Sequence, residues 1–223
     1  YRIPLRRHDR RAFAPTLAAP EATDLGSGIW QPVGQSHPLL VRGRELGVFD
    51  EAAMTKLTVS NFITRPYARY AEYLRAVKPP GMQHMYFTSS QDELVDKSVR
   101  VLKHKRTAGQ LPIGLQGGYF GHTTAAARSL NDDGEAFFDW PLIPHPAGGL
   151  EATLSALNAL VEEHGADHLI GLYLEPVQAH TGRVITDEAF AALAAWRDET
   201  GVPLVVSETT TGMHRSGRGR WWL

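Results

Sequence analysis

The 223-residue sequence predicts an α/β protein, a mainly parallel sheet covered by helices on both faces. Three observations carry this. Short apolar runs of strand length recur through the second half of the chain, near 112–116, 168–175 and 204–207. Between them lie longer segments with apolar residues at helical spacing. Strands that alternate with helices pair in parallel, because each helix carries the chain back across the sheet.

The elements follow in order. Residues 1–24 read as a polar arm rich in Arg, Pro and Ala, its Arg6-Arg7-His8-Asp9-Arg10-Arg11 run a solvated basic face. The domain proper is placed at 25–223. Leu25 to Gly34 reads as a glycine-broken strand, and Asp50–Lys56 and Pro66–Val77 as helices, the second with Tyr67, Tyr70, Ala71 and Leu74 on one face. Met85–Thr88 is predicted as a strand and Asp92–Lys105 as a helix striped by Leu94, Val95, Val99 and Leu102. Asp is a good N-cap, and Asp92 is assigned that role. Pro112–Gln116 is a strand that runs into Gly117-Gly118-Tyr119, and Phe137–Trp140 a short one. Leu150–His164 is a helix stopped by Gly165; His168–Glu175 is a strand. Thr186 caps the helix Asp187–Thr200, which ends at Gly201, and Leu204–Ser207 closes the series.

Composition narrows the function. With 23 basic against 24 acidic residues, nothing pulls the chain toward nucleic acid or an acidic membrane. Zero cysteines exclude disulfides, thiolate metal sites and a thiol nucleophile. No apolar run reaches the roughly 18 residues of a membrane span, so the expected location is the cytoplasm. His164 and His168 are four apart, but Gly165 breaks the helix between them, so no metal pair is assigned. No Gly-x-Ser-x-Gly elbow, Walker loop or dinucleotide fingerprint is present.

Four stretches point to one chemistry. They are Thr88-Ser89-Ser90-Gln91-Asp92-Glu93, Gln116-Gly117-Gly118-Tyr119-Phe120-Gly121-His122-Thr123, Leu174-Glu175-Pro176-Val177-Gln178, and the strand and loop Leu204 to Gly217. In register, they resemble the class III (ornithine-type) aminotransferases, pyridoxal-phosphate enzymes of fold type I. The partial match Gln35-Ser36-His37-Pro38 agrees. The resemblance covers about residues 25–223, and implies a three-layer α/β/α large domain left incomplete at its C-terminus. It also implies pyridoxal phosphate as cofactor, with a site formed by Ser90, Gln91, Asp92, Tyr119, Glu175, Gln178 and Ser207. There the phosphate would sit at the helix head, Tyr119 would stack on the ring, Gln178 would contact its hydroxyl and Ser207 would face its nitrogen.

This sequence departs from the family pattern at each end of that site. The family's phosphate cup has Gly and Ser or Thr where this chain has Gln91 and Asp92, and a carboxylate there repels a phosphate. Phe120 replaces a His and His122 an Arg. Ser207 replaces the Asp that keeps the pyridine nitrogen protonated, and a hydroxyl supplies a hydrogen bond without the charge. Lys56, Lys78, Lys97, Lys103 and Lys105 all lie outside the setting of the family's Schiff-base lysine, which in family order would follow Leu223.

Two readings stay open. In one, the chain is a degenerate aminotransferase-like domain, its cofactor lost, with no catalytic residue and a structural, dimerising or docking role. In the other, it belongs to a working transaminase whose lysine lies beyond this chain. The resemblance implies a homodimer; an unfinished sheet edge would favour a partner or further chain.

Overall fold

The computed structural model describes residues 12–13, 22–23, 37–48, 50, 63–217, 219 and 221–222. They divide into two compact units, one holding those before residue 84 with 213–217, 219 and Trp221, the other His84–Gly212 with Trp222. The predicted strand at 25–34 lies outside the described residues, as does nearly all of the helix at 50–56.

In the first unit, β1 (Ala12–Phe13) pairs antiparallel with β2 (Ala22–Thr23). Helix α1 (Pro38–Glu45) starts because His37 accepts a hydrogen bond from Leu39 N at 3.3 Å, and Pro38, lacking an N–H, suits the first turn. Helix α2 (Arg65–Val77) meets the expectation for 66–77, and Trp221 Nε1 donates to the carbonyl of Val77 at 2.7 Å.

The second unit carries the sheet. Its elements are α3 (Gln91–Lys105), β3 (Leu111–Leu115), α4 (Ala125–Ser129), β4 (Leu142–Ile143), α5 (Leu150–His164), β5 (Leu169–Leu174), α6 (Asp187–Thr200) and β6 (Leu204–Val206). Strand order is β4-β3-β5-β6, and every pairing is parallel. Strand β5 is buried along its whole length, as a central strand covered on both faces must be. On one face Leu172 and Leu174 pack with Ile113, Leu115, Leu157, Leu193 and Trp196 under α5 and α6. On the other Tyr173 packs with Val95, Phe120, Ala127 and Leu130 under α3 and α4. This is the expected α/β/α sandwich. Close layering needs small residues in the strands: a Cβ on Gly114 would meet Leu142 at 2.6 Å.

Several local expectations change. Met85–Thr88 forms no strand; Met85 and Tyr86 are exposed, and no neighbouring strand among the described residues supplies a ladder. The strand expected at Phe137–Trp140 does not form there; β4 lies beyond it, at Leu142–Ile143. Phe137 and Phe138 are exposed, and the Phe138 ring stacks on Trp140 instead of entering the core. Leu94 drops out of the α3 stripe to the surface, while Val95, Val99 and Leu102 face the sheet.

Candidate functional site

Chemistry in an open parallel sheet gathers where the strands end at their carboxyl side. Here β3 ends in the turn Gly117–Thr123, β5 in Glu175-Pro176-Val177-Gln178, and β6 in Ser207. Gly117 (φ +78°) and Gly121 (φ +124°) adopt conformations that side chains disfavour, which lets the turn fold tightly and point its N–H groups inward.

Those N–H groups are taken by side chains from several different segments. Asp132 Oδ2 accepts from Gly117 N at 3.0 Å, and Glu175 Oε2 from Tyr119 N at 2.8 Å. Asn131 Oδ1 accepts from Phe120 N at 2.7 Å, while its Nδ2 donates to the Gly121 carbonyl at 2.6 Å. Asp92 Oδ1 accepts from Thr123 N at 2.7 Å. Sequence reasoning missed Asn131 and Asp132; the Asn-Asp-Asp-Gly run marks a turn but not what it clamps.

The head of α3 corrects the assignment of Asp92. Ser90 is the N-cap, its hydroxyl accepting from Glu93 N at 3.2 Å, and Glu93 accepts from Ser89 N at 2.8 Å. This frees Asp92 to turn inward, where it is buried against Gly121. Burial works against its charge, but the Thr123 N–H and hydroxyl, the His122 N–H and its own N–H outweigh it, so its pKa is lowered. Gln91 Nε2 reaches the Tyr119 carbonyl at 3.5 Å.

Glu175 is 3% exposed, and its other oxygen accepts from Ala179 N at 3.1 Å. Burial raises its pKa against the pull of those two hydrogen bonds. Gln178 is buried: Nε2 donates to the Gln116 carbonyl at 2.9 Å and Oε1 accepts from the Thr181 hydroxyl at 2.5 Å. The Tyr119 hydroxyl meets His122 Nδ1 at 2.9 Å, and its ring stacks on His180 with centroids 4.0 Å apart and planes 23° apart. Six of the seven expected residues, Ser90, Gln91, Asp92, Tyr119, Glu175 and Gln178, thus line or cap one connected network. Ser207 does not join it by side chain; its hydroxyl meets Thr209 at 3.1 Å while its N–H donates to Leu174 O at 2.8 Å. Glu208 accepts from the Thr211 hydroxyl at 2.9 Å and from Trp222 N at 2.7 Å.

His145, just beyond β4, is a further buried group that the sequence did not announce. Its Nδ1 accepts from Ala147 N at 3.0 Å while Nε2 is buried without a partner. Burial, and then the charge of Arg183, push its pKa down to about 4. Among the described residues no group of three or more His, Asp or Glu is placed to hold a metal. No described helix is long and apolar enough to cross a membrane.

A parallel α/β/α sandwich, with a glycine turn, an aromatic and a Glu-Pro-Val-Gln loop gathered at its carboxyl edge, has the architecture of a transaminase large domain. The aminotransferase class-III family model matches residues 19–222, and the chain belongs to that family. An acetylornithine aminotransferase of Methanopyrus kandleri is 29% identical over 206 residues, covering 89% of this chain and 49% of that protein. A lysine aminotransferase from M. tuberculosis superposes with a TM-score of 0.86 at 21% identity, covering 98% of this chain and 57% of that one. An omega-transferase from Vibrio fluvialis gives 0.80 at 18% identity, covering 99% and 56%. The chain therefore spans about half the length of the relatives it matches.

The family depends on pyridoxal phosphate. In this chain the head of α3 does not fit the phosphate dianion. Ser90 caps Glu93 N, Glu93 accepts from Ser89 N, and Asp92 is buried there with its charge stabilised. At ε of about 20, two unit charges of like sign 4 Å apart repel by about 4 kcal/mol. Neither does Ser207 offer a carboxylate to a pyridine nitrogen.

Proposed function

We propose that this chain is a degenerate class III aminotransferase-type domain that acts as a structural, dimerising or docking module rather than as a transaminase. One observation carries the reading: Asp92, at the head of α3, turns its carboxylate to the chain's own turn and accepts from Thr123 N, in the place where the family resemblance puts the cofactor's phosphate. Gln91 and Ser207 depart from the family pattern in the same direction. The other half of the proposal, association, is supported by β6, which pairs on one edge only and stays half-buried among the described residues. In this reading residues 25–223 form one aminotransferase-like unit preceded by an arm, the protein is cytoplasmic, and its partner is a second copy or the rest of a longer chain.

A second reading keeps the enzyme. Tyr119, Glu175 and Gln178 do converge at the carboxyl edge, as a working transaminase whose lysine lies elsewhere in the protein would require. Adding pyridoxal phosphate to the full-length protein separates the two. The degenerate reading expects no absorption band of a lysine-bound cofactor, no borohydride-fixed adduct and a dimer by light scattering. A stable band with transfer of an amino group overturns it.

A further inference from the structure

The two faces of the sheet carry opposite charge, which the near-neutral total hides. One core lies under α5 and α6, the other under α3 and α4. The exposed acids of α5 and α6 include Glu151, Glu162, Glu163, Glu188, Asp198 and Glu199. The bases beside them are His164, 3.8 Å from Glu163, and Arg197, 2.7 Å from Asp198. Helix α3 runs the other way. Past Asp96 its ionisable side chains are all basic. Arg100, Lys103, His104 and Lys105 are exposed and have no ion pair among the described residues. The helix dipole favours cations in the last turn, which accounts for Lys103, His104 and Lys105 but not for Arg100 or Lys97 further back.

The two faces also match in shape. Leu94 and Val101, about two turns apart on one side of α3, are each 47% exposed. Lys97 falls between them and Lys105 one turn beyond. Along α5 runs a groove of about 710 Å³ whose described lining comes from that helix alone, with Leu154 and Ala159 between Glu151 and Glu162. We propose that α3 of one copy of this chain lies in the α5 groove of the next, a head-to-tail contact. It rests on the reading of the chain as a docking module, and gives that module its surface and its partner. Lys97 and Lys105 stand about two turns apart and Glu151 and Glu162 about three, so both cations fall within the span of the acids. Leu94 and Val101 then cover Leu154 and Ala159, and the rim charges set the register. Because the two surfaces differ, each copy keeps one of them free, and the assembly grows past a dimer.

Sedimentation velocity on the full chain tests this. The wild type should form species larger than a dimer at low salt and lose them near about 0.5 M salt, where rim charges are screened. Lys103→Glu with Lys105→Glu makes the α3 end acidic; Glu151→Lys with Glu162→Lys makes the groove basic. Each pair alone should weaken the growth about tenfold or more, since like charges then face each other. Mixed together, the two variants should recover it, because the acidic helix of one now fits the basic groove of the other. Recovery on mixing is a result that misfolding of either variant does not produce. Growth untouched by either pair, or no recovery in a mixture of two variants with wild-type circular dichroism, overturns the contact. A wild type that stops at a salt-resistant dimer also overturns it and leaves the dimerising reading standing. A synthetic Leu-Lys helix that binds the chain when the wild type does not grow overturns the second copy as occupant. Amino-group transfer on adding pyridoxal phosphate would sink the degenerate reading whatever the sedimentation shows.

Discussion

Replacing Glu175 tests whether the turn after β3 is held by the end of β5. Its carboxylate is 3% exposed and accepts two backbone N–H groups, from Tyr119 at 2.8 Å and Ala179 at 3.1 Å. Hydrogen bonds to a charged acceptor contribute about 1.5–3 kcal/mol each, giving a gross value of about 3–6 kcal/mol. Removing the carboxylate also removes the cost of burying its charge, which the raised pKa registers. The net loss expected for Glu175→Ala is therefore about 2–4 kcal/mol, a large share of the stability of a typical domain. Glu175→Gln keeps one acceptor and turns an NH2 toward the other N–H, so it should lose about half as much. Urea unfolding followed by circular dichroism measures both, provided the slope stays constant. Amide exchange supplies the specific signature, with the N–H groups of Tyr119 and Ala179 exchanging faster in both variants. Acid should partly relieve the wild type: the folded pKa lies above the ordinary value of 4.5, so stability rises as pH falls through the folded pKa toward 4.5. Glu175→Gln lacks that gain. A Glu175→Ala midpoint within about 1 kcal/mol of wild type, with both amides still protected, would refute the reasoning.

Two further predictions concern other parts of the fold. At the opposite end of the sheet Arg106 donates to the carbonyls of Leu169, Gly201 and Ala166 at 2.9, 2.9 and 2.6 Å. Arg106→Lys keeps the charge but cannot span three acceptors, so it should cost about 1–3 kcal/mol in urea unfolding, and a neutral result would show that the fork is dispensable. His145 has a folded pKa of about 4 against an ordinary value of 6.5. The unfolded chain takes up the proton first, so stability is full above pH 6.5 and falls by about 3 kcal/mol as pH drops toward 4. His145→Asn retains an acceptor for Ala147 N without a titrating ring and should flatten that slope; an unchanged slope would assign it elsewhere.

The helices and central strands were legible because their signals are local. Thr186 and Gly201 bracket α6 as capping chemistry requires, and the run from Leu169 to Leu174 is too apolar and too short for anything but a buried strand. Met85–Thr88 misled because its alternation meets no neighbouring strand among the described residues, and pairing is a non-local property. Family register pointed to Tyr119, Glu175 and Gln178, which the structure brings together at the carboxyl edge, but not to their partners. Asn131 and Asp132 clamp the turn from 11 to 15 residues away, and Glu175 from 56, separations that no window along the sequence connects. Asp92 failed for a different reason. Two residues at the head of α3 could cap it, and only the fold decides that Ser90 does so while Asp92 reaches Thr123.

That choice bears on why the turn from Gly117 to Thr123 looks as it does. A glycine turn with inward N–H groups is a ready anion site, and anions are what it holds. The anions are the chain's own: carboxylates of Asp132, Glu175 and Asp92, with the Asn131 carbonyl between them. They come from α3, from the end of β5 and from the segment after α4, so the four bonds also lock those segments and β3 into one arrangement. A site built to admit a charged ligand leaves such donors free for it, or hydrated until it arrives. Here the donors are used in folding, and the same contacts that would weaken cofactor binding strengthen the carboxyl edge of the sheet. In the proposed degenerate reading, loss of ligand affinity and gain of rigidity are one change, and in Asp92→Asn they should separate: the edge loses a charged acceptor for Thr123 N while the repulsion of an incoming anion disappears.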